Sequence, residues 1–198
     1  MEKAKPYHHG NLREALLQAA IRLIAEVGPV AFTLREVARR AGVSHNAPYR
    51  HFRDKNDLML AVATEGYREL TEAMQKAARD RDLPLERLKR AGIAYIEFAL
   101  RRPEHFTVMF DAPLTGSTHQ ESNEAAKESF SLLVALVKDA QDASELSAGD
   151  PVEFAYLAWT MVHGVAKLAV TQRLPHRTRT GILKFASFVI DQSLHIEP

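Results

Sequence analysis

Cysteine is absent from the 198 residues, so disulfide bonds and thiolate chemistry are excluded at once. No apolar run reaches the length of a membrane span, and the charged N-terminus has no signal-peptide core. The cytoplasm is therefore the expected compartment. The period-2 alternation of half-buried strands is missing. A glycine-rich phosphate loop, a metal-ligand spacing and a helix with paired carboxylates are missing too, so neither a cofactor nor catalysis is expected. The nearest set of nucleophile, base and orienter is Ser117, His119 and Asp111. It surrounds a loop with no nucleophile elbow or oxyanion turn, and His119 reads more simply as a solvated loop residue. His8 and His9 are adjacent, point in different directions and lack partners, so no metal site is expected there.

What is present is helical period and enough apolar residue, 46%, to bury a full core. The expected fold is all-α with about nine helices: a small N-terminal head, residues 1–56, and a larger C-terminal bundle, residues 57–198. Asn11 and Glu14 form a capping pair for a first helix over 11–27, stopped by Gly28 and Pro29. A long helix over about 55–79 should connect head and body. Further helices are expected over about 84–101, from Pro103 to before Pro113, and over 121–142, 151–173 and 178–195. Residues 114–120 read as a loop, and the small, polar connector 143–150 as mobile. The net charge is only +1, but it is unevenly spread. Residues 1–56 hold ten Lys/Arg against five Asp/Glu, while the remainder holds sixteen against twenty. A basic head on an acidic body suits a polyanion.

The stretch from Thr33 to Leu58 carries the strongest local signals. Thr33 and Glu36 make a capping box, and Leu34, Val37, Ala38 and Ala41 give the helix after it an apolar face. Gly42 supplies the positive φ of a helix stop, Val43 can plug the turn into the core, and Ser44 can cap a second short helix over 45–51. Phe52 is the expected anchor between the two. His45, Asn46 and Tyr49 share one side of that second helix. Asparagine pairs bidentately with adenine, and Arg50 suits guanine or phosphate. Pro48 implies a short helix, and its ring is placed to touch a thymine methyl. Asp54 can cap the next helix, whose N-terminal amides with Lys55 suit a DNA phosphate. This is the pattern of a helix-turn-helix.

Thr33, Val37, Ala38, Ala41, Gly42, Val43, Ser44, Tyr49, His51, Phe52, Lys55 and Leu58 together resemble the TetR family of transcriptional regulators. The resemblance implies phosphate contacts from Thr33, Ser44, Tyr49 and Lys55, which Arg50 joins by its chemistry. It implies base-facing positions for His45, Asn46, Ala47 and Pro48, although Pro48 departs from the commonest residues at its position. Trp159, His163 and Gly164 resemble the WHG type of C-terminal domain seen in part of that family, with Gly164 permitting a close approach.

In the body, Tyr95, Phe98, Phe106, Met109, Phe110, Phe130, Leu133, Trp159 and His163 are the candidates to line an effector pocket. One recognition helix per chain needs a second copy to read a pseudo-palindromic operator. The family's four-helix interface implies the last two helices for that contact. The stripe Leu157, Met161, Val165, Leu168 and Ala169, with Ile182, Phe185, Phe188, Val189 and Gln192, is the expected dimer surface. The function implied is a repressor released from double-stranded DNA by a small, mainly apolar effector. The alternative is a regulator with no effector, controlled by abundance or by a protein partner.

Overall fold

Eight α-helices and one short 3-10 turn make up the computed structural model, which describes residues 12–79, 83–112 and 120–194. No strand occurs among the described residues. Asn11, His8, His9, Ser117 and His119, with most of the expected 114–120 loop, lie outside them.

Helix α1, Leu12–Val27, buries Leu16, Leu17, Ala19, Ala20, Leu23 and Ile24 on one face and ends at Gly28, where φ is 79°. Helix α2, Leu34–Ala41, starts with both halves of the capping box in place. The Thr33 hydroxyl accepts from the Glu36 amide at 3.3 Å, and the Glu36 carboxylate accepts from the Thr33 amide at 2.7 Å. Its stop is equally local: Gly42 has φ 71°, and Val43 N–H returns to the Ala38 carbonyl at 3.0 Å.

The second helix of the motif is shorter than expected. Residues 45–47 form a turn, and only Pro48–Arg50 is helical, as a 3-10 turn. Proline has no N–H to return to the Ser44 carbonyl, which accepts from Ala47 at 2.9 Å instead. Phe52, 2% exposed, closes the motif against the head core, and the Arg13 guanidinium lies 5.6 Å from its ring centroid.

Helix α3, Lys55–Ala77, begins at Asp54, whose carboxylate accepts from the Asp57 amide at 2.8 Å. It packs on α1 near its start and then on the body helices α4 (Pro84–Arg101), α5 (Pro103–Phe110) and α6 (Gln120–Asp142). Where α3 meets α5, a Cβ on Gly66 would stand 2.5 Å from Met109 Sδ and 3.2 Å from His105 Cβ, so any larger residue would have to displace the Met109 side chain. Helices α7 (Pro151–Val170) and α8 (Arg179–Leu194) pack together and against α4. Proline at the first position of α4, α5 and α7 costs no hydrogen bond there and presets the first turn.

The connector expected to be mobile is tied down. Leu146 is buried, the Gln141 amide donates to the Ser147 carbonyl at 2.9 Å, and the Glu145 carboxylate accepts from Leu85 N–H at the start of α4. No helix of the described residues is long and apolar enough to cross a membrane.

Candidate functional site

The candidate reading surface of the head is a strip of exposed polar side chains. Thr33, Ser44, His45, Asn46, Tyr49 and Arg50 are exposed, and Ala47 is half-buried. Pro48 is buried, which leaves little of its ring for the expected contact with a base.

Lys55 is half-buried and has structural work of its own. Its ammonium donates to the Val30 carbonyl at 2.6 Å and lies 4.2 Å from the Phe32 ring centroid. Burial pulls its pKa below the ordinary lysine value, against the opposing charge of Glu36. Arg40 binds both carboxylate oxygens of Glu26, at 2.6 and 2.5 Å, and fastens α2 to α1. The exposed strip therefore sits on helices whose relative positions are held on both sides.

The body holds a cavity of about 510 Å³ among α3, α4, α5, α6, α7 and α8, the size of a small-molecule site. Tyr95, Phe110, Phe130, Leu133 and Trp159 line it as expected. Phe98, Phe106 and Met109 do not: they are 1%, 0% and 8% exposed and fill the core between α3, α4 and α5. Most of the wall was not anticipated. Tyr67, Leu70 and Met74 from α3, Leu88, Ala91 and Gly92 from α4, and Ile190 and Leu194 from α8 line it too, beside further residues of α6 and α7. Their only signal was helical periodicity, which core residues share.

His163 stands behind the cavity wall. Its Nδ1 is 2.8 Å from the Tyr95 hydroxyl, which lies 3.2 Å from Trp159 Nε1. Burial, helped by the charge of Lys167, lowers the His163 pKa and favours the neutral ring. Burial also pushes the Tyr95 hydroxyl well above the ordinary phenol range, so it keeps its proton. Trp159 N–H donates to Tyr95, and with Nδ1 unprotonated the Tyr95 O–H donates on to His163. The imidazole also stacks on Phe106, with centroids 5.3 Å apart, and meets the edge of Phe110 at 4.8 Å. Gly164, next in sequence, is exposed, and a Cβ added there would meet nothing within 4 Å, so it serves no close approach within the subunit.

Glu65, Glu69 and His105 come together between α3 and α5, the only such group among the described residues. The Glu69 carboxylate is already held by Arg102 at 2.8 and 3.0 Å, and Glu65 faces His105 Nε2 at 3.3 Å. That hydrogen bond is the main reason the Glu65 pKa is lowered. The group is best described as an ion-paired junction.

The expected dimer surface divides in two. Leu157, Leu168 and Phe188 are 47%, 42% and 59% exposed, and Phe185 and Val189 are half-buried. Val165 and Ile182 are 6% and 7% exposed, and Ala169 is likewise buried, so these three pack within their own subunit. Met161 is half-buried and lines the cavity. A stripe read from one sequence cannot separate the two sides of helices that have neighbours on both.

Comparison with known proteins agrees with both halves of the chain. Residues 16–62 match the family model described as bacterial regulatory proteins, tetR family. Residues 88–191 match the model described as tetracyclin repressor-like, C-terminal domain. An HTH-type transcriptional repressor of Mycobacterium tuberculosis is 41% identical over 64 residues, 32% of this chain and 34% of the relative; the match spans about a third of that relative. The fatty acid metabolism regulator protein of Bacillus subtilis is 22% identical over 89% of this chain and 90% of its own.

Among solved structures, a Rhodococcus protein of unknown function superimposes with a TM-score of 0.82 and 33% identity, covering 98% of this chain and 100% of the other. The Bacillus subtilis regulator FadR, solved with stearoyl-CoA, superimposes with a TM-score of 0.78 at 16% identity over 93% of this chain and 99% of its own, a likeness of fold. Family and relatives are those of DNA-binding regulators rather than enzymes. This chain belongs to the TetR family of transcriptional regulators.

Proposed function

We propose that the chain is a repressor that binds a pseudo-palindromic operator as a homodimer and leaves it when a small, mainly apolar effector fills the body cavity. Residues 1–56 read DNA, and residues 57–198 bind the effector and pair the subunits. His45 and Asn46, with half-buried Ala47 beside them, face base edges; Thr33, Ser44, Tyr49, Arg50 and Lys55 hold phosphates. The exposed apolar stripe of Leu157 and Leu168 on α7, with Phe188 on α8, is the surface that a second copy covers. Gly164 lies on the same stripe, where the absence of a side chain favours a close approach by the partner. The work is done in the cytoplasm.

One observation carries this reading: α3 belongs to both sites. The helix starts at Lys55 beside the reading strip and supplies Tyr67, Leu70 and Met74 to the cavity wall. A ligand that prefers a shifted position of α3 changes the separation of the two heads, and DNA binding opposes the same shift. The names of a repressor and of fatty-acid regulators among the relatives support repression and an apolar occupant.

The test is reciprocity. Operator half-sites are first selected from random duplexes. Calorimetry with decanol as the cavity probe should then show weaker binding to the operator complex than to free protein. Equal affinity in the two titrations overturns the switch.

A further inference from the structure

We propose that the cavity is shaped for an anionic single-chain amphiphile, with its apolar tail inside and its charged head at Lys127. The proposal rests on the effector cavity described above and specifies the chemistry of its occupant.

Exposure along the wall locates the mouth. Leu70, Met74, Leu88, Ala91 and Ile190 are buried, and they form the deep end among α3, α4 and α8. Lys127, Ser131 and Tyr156 are exposed and line the same cavity from α6 and α7. Lys127 is the one charged residue in the wall, and it has no hydrogen-bond or ion-pair partner among the described residues. Ser131 follows one helical turn later on the same face and adds a hydroxyl. The nearby acids are turned to other uses: Glu121 pairs with Arg68 at 2.8 Å, Glu124 accepts from Gln120 at 2.7 Å, and Glu128 is exposed outside the wall.

The deep end cannot hold the head. The Tyr95 proton is committed to His163, the Trp159 N–H to Tyr95, and the Tyr67 hydroxyl lies 3.4 Å from the Met109 carbonyl. An anion placed there would be buried without a cation, with only the Ser129 hydroxyl on α6 as an uncommitted donor, an arrangement that burial strongly disfavours. At the mouth the lysine stem can lie along apolar wall while its ammonium stays in water and meets the head. An uncharged apolar molecule would gain nothing from Lys127, so the head is what the site selects.

The sole tryptophan lines the cavity, and its fluorescence reports occupancy directly. Decanoate and decyl phosphate, two sources of the anionic head, are titrated against decanol, all below micelle formation. Both anions, or one of them, should bind more tightly than decanol, and the tighter one identifies the head. Lys127→Gln should weaken anion binding by about tenfold and leave decanol binding as it was. The proposal is overturned if decanol binds as tightly as both anions, or if Lys127→Gln weakens all three alike. If none of the three perturbs Trp159, the effector cavity itself is refuted and this proposal falls with it.

Discussion

Asn46 stands exposed beside His45 on the strip before Pro48, and its amide offers both a donor and an acceptor, the pair that adenine presents in the major groove. Asn46→Ala should relax the preference at one base position by about 1–3 kcal/mol, measured by fluorescence anisotropy on operator duplexes mutated there. An equal loss on operator and scrambled DNA would remove Asn46 from the reading set. Arg50 is the cleaner probe of phosphate binding, because Lys55 also holds the Val30 carbonyl and its loss would disturb the fold. Arg50→Ala should weaken operator and random DNA alike and reduce the salt slope by about one. His163 makes a prediction about pH. Its pKa is lowered in the folded protein, so between the unfolded value of about 6.5 and that lower value the unfolded chain binds the extra proton. Stability should therefore fall on acidification through this window, because the buried imidazole beside Lys167 resists taking the charge. Thermal melts should show a shallower acid-side decline for His163→Gln, and an unchanged decline would assign the proton uptake elsewhere.

At the scale of elements, Gly66 sets how closely α3 approaches α5. Gly66→Val would drive a branched side chain into Met109 and His105, an overpacking that should cost about 1–3 kcal/mol in denaturant melts. A variant as stable as the parent would show that α5 yields freely at this point. Helix boundaries were legible in the sequence where the signal is chemical and local. Thr33 with Glu36, Gly42, Asp54, and the prolines that open α4, α5 and α7 each act within a turn of their own position. The recognition element was misread in length because a seven-residue pattern does not distinguish an α-helix from a turn followed by a 3-10 turn. What decides is the missing N–H of Pro48 and the burial of its ring, and burial is a tertiary fact. The cavity was half legible for a similar reason. Tyr95, Phe110 and Trp159 announce themselves by size, whereas Leu70 and Leu88 carry the same stripe whether they face a void or a neighbour.

For the whole molecule, the apolar surface left on α7 and α8 sets the prediction. Phe188 is 59% exposed, with Phe185 stacked beside it at 6.5 Å between centroids. Phe188→Glu should convert a dimer to monomers in sedimentation equilibrium and lower operator affinity steeply, since two linked heads no longer bind as one unit. A dimer that persists would place the interface elsewhere. The unbroken course of α3 has a mechanical consequence. With 23 residues it is about 34 Å long. As a stiff rod it turns a tilt of about 10° at one end into about 6 Å of travel at the other, by the rise per residue of an α-helix. That distance is nearly two base-pair steps along DNA, at about 3.4 Å each. The leverage comes from length, so in the proposed switch a small adjustment around the cavity wall would be enough to put a pair of heads out of register with their half-sites.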